Sequence, residues 1–521
     1  MHWRLIDTGH LSAAENIAYD HSFLIAQARE DSIPVLRFLQ FDPPAVLVGR
    51  HQVVEQEVRL PFVREHGFDV NRRITGGGTI FFDPSQIGWE IFARFDEPWV
   101  SGKIDELYKL FCEIMADSLG RLGINAHFRP RNDIEVDGRK ISGTGGATEQ
   151  GAFIFQGTLL VDDTVEEMLH VLRIPAEKLG KHGLESVRER VTFVATILRH
   201  TPSTDELKAT IADAFSEKLG VEFLESAPNG TEQRLFNELM PKFQSREWLD
   251  AIVRPEEQQG VLTGLSVGDG GTVKAAVMAN AKERKVRAMQ FYGDFLISPN
   301  RAIIDLESRF KHIPARRERV KKEIELFFDE NKPGLIGLTY RNFAEAAAMA
   351  VDKLYLVRQG LTFEQANRTA FIGINPEYWR EFPFEKFLFP YCSKLIGCSE
   401  RHDTGCSICG NCTIGEGYKL AIAAGLEPYT ITSFNHLMET LARYCDEGVT
   451  GYIGSCCREF YAKHQRDFEI SGVPGILLFI DSTTCYDLSQ AHAAYRGEFE
   501  SQTELDLDLI TAILELRSMD K

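Results

Sequence analysis

Two stretches near the start of the chain combine basic side chains with glycine. In Arg-Arg-Ile-Thr-Gly-Gly-Gly-Thr-Ile-Phe-Phe-Asp (72–83), Gly76, Gly77 and Gly78 follow Arg72 and Arg73. Consecutive glycines admit positive φ and let a ligand approach the backbone amides; phosphates are the commonest ligands to need this. The two guanidinium groups would add forked donors for phosphate or carboxylate. A glycine-rich hairpin with two surface arginines fits the same residues. In the second stretch, residues 132–146, Lys140 follows a turn at Asp137-Gly138 and precedes Gly143-Thr144-Gly145-Gly146. Strand alternation sends Arg139 and Lys140 to opposite faces, so one of them can enter a cleft. An ammonium between a carboxylate and a nucleotide phosphate would offset their mutual repulsion and stabilise charge that develops as they react. A single lysine is more usually a solvated surface residue.

The third chemical feature is cysteine. Of ten, Cys112 stands alone, and nine lie in the C-terminal quarter. Cys392, Cys398, Cys406, Cys409 and Cys412 are spaced C-x5-C-x7-C-x2-C-x2-C; Cys445, Cys456, Cys457 and Cys485 follow. In a chain expected to be cytoplasmic, clustered cysteines point to metal or redox chemistry rather than disulfides. The C-x2-C-x2-C core suits an iron–sulfur cluster, with a fourth ligand from elsewhere. Zinc, which favours two C-x2-C pairs, is the alternative. Cys112 is flanked by Leu110, Phe111 and Ile114 in a helical pattern, and burial is its expected fate.

The elements that must position these residues follow from periodicity. Residues 12–30 open with a serine cap and carry apolar residues at helical spacing. Val-Leu-Arg-Phe-Leu-Gln-Phe, Pro-Ala-Val-Leu-Val, Gly-Thr-Ile-Phe-Phe and Gly-Trp-Glu-Ile-Phe-Ala-Arg-Phe read as strands, and 103–123 as a helix ending in glycine. Asp137-Gly138 centres a β-hairpin. Strand follows strand, which predicts an antiparallel α+β domain over 1–248. Residues 249–354 read as a small α+β accessory unit of two strands and two helices. Over 355–521, apolar strands alternate with helices, which predicts a parallel, doubly wound α/β sheet. Cys456, Cys457 and Cys485 then fall at the carboxyl ends of strands, where such sheets bind ligands. Eight cysteines could meet at that edge, with helix N-termini lowering thiol pKa values.

Taken in order, Ala-Ala-Glu-Asn-Ile-Ala-Tyr-Asp, Pro-Pro-Ala-Val-Leu-Val-Gly-Arg-His-Gln (43–52), the segments 72–83 and 132–143, and Gln-Gly-Thr-Leu-Leu-Val-Asp (156–162) resemble the lipoate–protein ligases, catalytic and accessory regions together, over roughly residues 1–354. The resemblance implies a biotin/lipoate ligase-like fold. It implies an activity that joins lipoate or octanoate to ATP as an acyl-adenylate and passes the acyl group to a lysine of a lipoyl-carrier protein. Lys140 would contact the carboxylate and the α-phosphate. Arg72, Arg73, Gly76, Gly77, Gly78, Asn132, Asp133, Gly143, Gln156, Gly157 and Thr158 would surround the substrates, with Mg²⁺ on the phosphates. Gln156 stands where the family usually has histidine, and Thr144-Gly145-Gly146 where it has Ser-Ala-Gln. The C-terminal part resembles a prokaryotic Cys-rich α/β family of unassigned function. There the eight cysteines Cys392, Cys398, Cys406, Cys409, Cys412, Cys456, Cys457 and Cys485 are the candidate ligands of a [4Fe-4S] cluster, or of zinc. Two other readings remain: an ATP-independent octanoyl or lipoyl transferase, which needs a cysteine nucleophile, and a non-catalytic sensor that holds acyl-adenylate.

Composition sets the outer bounds. The chain has 521 residues, 44% apolar and 26% charged, enough for two to four domains. The net charge of −18 argues against a general nucleic-acid-binding surface. No apolar run approaches bilayer length, and the first residues lack the pattern of a secretory signal, so a cytoplasmic protein without membrane partners is expected.

Overall fold

The computed structural model describes residues 1–100, 104–130, 132–173, 190–252, 260–480, 482–486 and 490–518. Helix α1 (Ala13–Ala28) starts at the expected serine. Ser12 accepts from Glu15 N and Glu15 accepts from Ser12 N, a reciprocal cap that satisfies two end amides. Around it lie β1 (His2–Leu11), β2 (Val35–Phe41), β3 (Ala45–Val48), β4 (Asp69–Arg72), β5 (Ile80–Phe82), β6 (Ile87–Arg94), β7 (His127–Arg129), β8 (Asp133–Val136), β9 (Arg139–Glu149), β10 (Ala152–Leu159) and β11 (Glu222–Glu225). They form an eight-stranded sheet in the order β11-β1-β2-β6-β10-β9-β8-β7 and a three-stranded sheet in the order β4-β3-β5. Pairing is antiparallel from β2 to β7, as α+β order predicts; β1 is parallel to both β2 and β11.

One face of the large sheet packs Trp89 and Phe155 against α2 (Ile104–Arg121) and α3 (Thr204–Leu219). The other face meets α1 through Ile17, Phe23 and Phe92. A buried ion group joins them: Arg37 of β2 donates to Asp20 of α1 at 2.7 Å and to Glu90 of β6 at 2.9 Å. Burial pushes the Glu90 carboxyl well above its usual range and raises Asp20 as well, while the Arg37 guanidinium opposes both shifts.

The accessory unit contributes β12 (Val261–Gly268), β13 (Gly271–Asn280), β14 (Lys285–Gly293) and the short pair β15 (Ile297–Ser298) and β16 (Gly334–Leu335), with helices α4 (Arg317–Asn331) and α5 (Tyr340–Gln359). Helix α5 lies close on β12: a Cβ on Gly264 would fall 2.0 Å from Ala346 O, and Ala346, Ala347 and Ala350 keep the facing side chains small. The chain passes residue 354 inside α5, so a rigid helix leads into the C-terminal unit.

That unit holds β17 (Thr369–Ile372), β18 (Lys386–Pro390), β19 (Glu427–Ile431), β20 (Tyr452–Cys456) and β21 (Gly475–Phe479), with α6 (Thr413–Ala423), α7 (Phe434–Glu447), α8 (Arg458–Ile470) and α9 (Leu507–Ser518). The sheet order is β17-β21-β20-β18-β19; the last four strands in sequence are parallel, and β17 is an antiparallel edge. The chain moves from β18 out to β19, then crosses back to β20 on the other side of β18. The strand order therefore reverses between β18 and β20, where open α/β sheets form a ligand crevice. One apolar core runs from Val273 and Val277 of β13 through α5 to Phe387 and Phe389 of β18. No helix among the described residues is long and apolar enough to cross a membrane.

Candidate active site

The β8–β9 hairpin turns on two left-handed residues, Asp137 (φ +50) and Gly138 (φ +75), as a tight two-residue turn requires. Register then sets Asp133 across from Gly143. The Lys140 side chain lies back along this gap, with Nζ 2.7 Å from Asp133 Oδ1. The space exists because residue 143 is glycine: a Cβ there would sit 2.5 Å from both Cε and Nζ of Lys140. The lysine backbone is pinned on its far side, Lys140 N donating to Arg190 O at 2.7 Å and Thr192 N to Lys140 O at 2.8 Å. Asn132 Nδ2 donates to Thr144 O at 3.0 Å, while Thr144 N and Oγ1 both donate to Asn132 O at 2.9 Å. Asn132 thus clamps the lysine loop.

The glycine stretch is held from within. Arg73 donates to Leu47 O (2.7 Å), Gly76 O (3.1 Å) and Gly78 O (2.8 Å), and its Nε to Thr75 Oγ1 (3.2 Å). Arg72 is fully buried and donates to Gly49 O, Arg50 O, Gln52 O and Leu249 O. Burial brings both guanidinium groups down to about 10. Their donors are engaged with carbonyls and, for Arg73 Nε, with the Thr75 hydroxyl, so these arginines shape the backbone. Gly77 has φ +91 and its N donates to Phe295 O at 3.2 Å; a Cβ on Gly76 would lie 2.6 Å from that same oxygen. The side-chain-free loop is therefore also the seat of the accessory unit.

Between these parts lies a cavity of about 450 Å³. Arg73, Gly76, Gly77, Gly78, Asn132, Asp133, Lys140, Gly143, Gln156, Gly157 and Thr158 all line it; Arg72 does not. The accessory unit closes it with Asp269, Gly270, Gly271, Asp294, Leu296 and Ile336. Sequence reading missed this wall, because nothing in its local pattern shows that it faces another domain. Gln156 Oε1 is buried without a hydrogen-bond partner and lines the cavity, an acceptor suited to a ligand donor. Cys112, distant in sequence, comes near: Sγ is 3.7 Å from Thr144 Oγ1. It is fully buried, does not line the cavity, and its burial pushes the thiol up to about 12.

Residues 12–216 match the lipoyl protein ligase A/B catalytic domain. An octanoyltransferase LipM from Kyrpidia tusciae is 26% identical over 268 residues, 47% of this chain and 97% of that protein. Lipoate-protein ligase A subunit 1 from Thermoplasma acidophilum is 29% identical over 252 residues, 46% of this chain and 93% of that protein. Among solved structures, P. falciparum LipL1 in complex with lipoate covers 68% of this chain and 98% of its own at TM-score 0.50 and 14% identity, a likeness of fold. The proteins similar to this part of the chain thus include both a ligase and a transferase.

Beyond the matched residues 12–216, the eight candidate cysteines do not meet at one point. Cys398, Cys406, Cys409 and Cys412 lie in the loop between β18 and α6, shaped by Lys394 Nζ, which donates to the carbonyls of Glu400 (2.7 Å), Asp403 (2.7 Å) and Gly405 (2.6 Å). Ile408, at φ +56, aims its N at Cys406 Sγ (3.4 Å), and Cys412 caps α6. Cys406 and Cys412 pack on the face of β18 that carries Phe387 and Phe389. Cys456 packs on the opposite face with Leu388, and Cys457 and Cys485 join a small cluster with Tyr486. Cys392, Cys456, Cys457 and Cys485 line one cavity at the strand-order reversal. The expected lowering of thiol pKa at helix N-termini is overturned here: burial pushes Cys392, Cys456 and Cys457 up. Cys445 is exposed on α7. Among the described residues no disulfide forms, and no three His, Cys, Asp or Glu groups converge on a single metal ion.

Proposed function

We propose that this protein is an ATP-dependent lipoate–protein ligase. One observation carries the reading: Lys140, paired with Asp133 at 2.7 Å, shares a glycine-lined cavity with no thiol among the described residues of its wall. Transfer through an enzyme thioester needs an accessible, activated cysteine. Cys112 alone precedes Cys392 in the sequence, and it is sealed behind Thr144.

In the proposed reaction a carboxylate oxygen of lipoate or octanoate attacks the α-phosphorus of ATP, and pyrophosphate leaves. Lys140 offsets repulsion between the two anions and stabilises charge on the α-phosphate. Asp133 holds the ammonium in place until substrate anions compete for it. The amine of a carrier lysine then attacks the acyl carbon, and AMP leaves with the mixed-anhydride oxygen. Arg73 holds the carbonyls of Gly76 and Gly78, so the Gly78 amide and the bare Cα atoms of Gly77 and Gly78 can face the substrates, while the Gly77 amide is taken by Phe295 O. Mg²⁺ usually binds through one or two carboxylates plus phosphate oxygens, and Asp133, Asp269 and Asp294 offer carboxylates at this wall; there it would neutralise phosphate charge. The loop cysteines Cys398, Cys406, Cys409 and Cys412, which do not converge on one point as they stand, would have to draw together to hold a [4Fe-4S] cluster, or zinc.

The test is to incubate the full chain with ATP, Mg²⁺, lipoate and a lipoyl domain and weigh the domain. Expected are a lipoyl mass gain and matching pyrophosphate release, with Lys140→Ala slower by at least about a hundredfold. Acyl transfer from an octanoyl carrier without ATP would instead establish the transferase, and ligand retention without transfer would establish the sensor.

A further inference from the structure

The second thiol group sits in a setting that the ligase reading does not use. Cys392, Cys456, Cys457 and Cys485 line a mainly apolar cavity of about 110 Å³ with Tyr486 and Tyr495. It opens where strand order reverses between β18 and β20, the position at which such sheets bind ligands. Cys457, Cys485, Tyr486 and Tyr495 belong to one packed cluster.

From this cluster a hydrogen-bonded chain leads outward. The hydroxyls of Tyr486 and Tyr495 are 2.5 Å apart, Tyr495 OH lies 2.7 Å from His464 Nε2, and His464 Nδ1 lies 2.6 Å from Asp467 Oδ2. With the Nδ1 proton donated to Asp467, Nε2 accepts from Tyr495, and Tyr495 can accept from Tyr486. Asp467 is 45% exposed, whereas His464 is buried, so the chain joins solvent to the cavity wall. Helix α8 bends to make it: His464 leaves helical geometry at φ −111, ψ 15.

We propose that this cavity is a second active site, in which Cys457 and Cys485 reduce the cyclic disulfide of a dithiolane by thiol–disulfide exchange. Choosing the dithiolane of a lipoyl group rests on the ligase reading above. An apolar cavity of about 150 Å³ accommodates benzene; this one, at about 110 Å³, must widen slightly to admit the five-membered ring. One thiol gives its proton to the tyrosine chain, and its sulfur attacks a ring sulfur. The ring S–S bond breaks, a mixed disulfide forms, and the released ring thiolate takes a proton back from the chain. The second cysteine then displaces the remaining ring sulfur, which leaves as a thiol with that cysteine's proton. The ring disulfide is reduced to a dithiol, and Cys457 and Cys485 are oxidised to a disulfide; two electrons and two protons pass to the ligand. Cys457 is buried, so its proton needs an internal route, and the chain starts at Tyr486 in the same packed cluster.

The experiment uses reduced full-length protein without ATP, so that failure of the ligase reading cannot affect it. Lipoamide is the probe in one arm and a lipoylated carrier domain in the other; reaction in either supports the site and identifies the source. Expected are loss of the dithiolane's near-ultraviolet absorption and, by peptide mapping, a Cys457–Cys485 disulfide. Cys457→Ser and Cys485→Ser should abolish both while keeping the wild type's urea unfolding midpoint, which reports that the chain is folded. Tyr495→Phe should slow exchange about a hundredfold and leave its end point unchanged, as a merely structural tyrosine would not. An intact dithiolane with the wild type would overturn the proposal. So would oxidation confined to the loop cysteines, or iron or zinc still held by the cavity cysteines after Cys398, Cys406, Cys409 and Cys412 are replaced by serine.

Discussion

Lys140 owes its position to a residue with no side chain. The Gly143→Ala methyl would overlap the end of the lysine. That end is flexible, so folding should change by less than about 1 kcal/mol, the usual scale away from packed sites. The ammonium would move by about 1 Å, a displacement that can cost about a hundredfold in rate. Gly157 makes the opposite case. Its added Cβ would meet the fully buried Trp89 ring at 2.3 Å, so Gly157→Ala should lose about 1–3 kcal/mol by overpacking. Urea unfolding beside lipoylation kinetics separates the two: Gly143→Ala loses rate at preserved stability, and Gly157→Ala loses stability first. The sequence announced that these glycines mattered, but for other reasons than those found. Adjacent Arg72 and Arg73 looked alike in sequence; only the fold shows that one is buried under Trp248 and the other underlies the cavity.

At the scale of elements, the accessory unit docks by backbone. Phe295 O accepts from Gly77 N, and the approach leaves no room at Gly76. A carbonyl in a docked segment cannot rotate aside as a lysine tip can. Gly76→Ala should therefore lift residues 293–298 from the loop. Amide exchange at Leu296 and Ile297 should quicken by at least about tenfold, matching the roughly 1–2 kcal/mol expected of overpacking; unchanged exchange would mean that the contact does not hold the unit. Most elements were legible because their apolar periods are regular, as in α1, β2 and β6. The interior strand β18 was not. Phe-Pro-Phe-Glu-Lys-Phe-Leu-Phe-Pro lies between prolines and falls outside the strands read from periodicity, its alternation masked because both faces are apolar: Phe387 and Phe389 enter one cluster and Leu388 another. Missing β18 also hid the separation of the cysteines, since that strand divides the loop group from the cavity group. Local C-x2-C spacing cannot reveal which face of a sheet a thiol will occupy.

Across the whole molecule, the accessory and C-terminal units share one apolar core, so a charge buried at one place weighs on the folding of both. Glu307 is such a charge. It accepts from Phe291 N at 2.7 Å, and burial raises its carboxyl from 4.5 to about 7. A folded-state pKa above the unfolded one means that folding favours the protonated acid. Its contribution is complete below pH 4.5 and is lost as pH rises to about 7, with a span on the order of 3 kcal/mol. Glu307→Gln keeps an acceptor for Phe291 N and cannot ionise. The difference in unfolding free energy between variant and wild type should therefore be small at pH 5 and grow in favour of the variant by pH 8. Urea titrations at the two pH values measure it directly. A difference that stayed constant with pH would show that the carboxyl titrates alike in the folded and unfolded chains, and that water reaches it through the shared core.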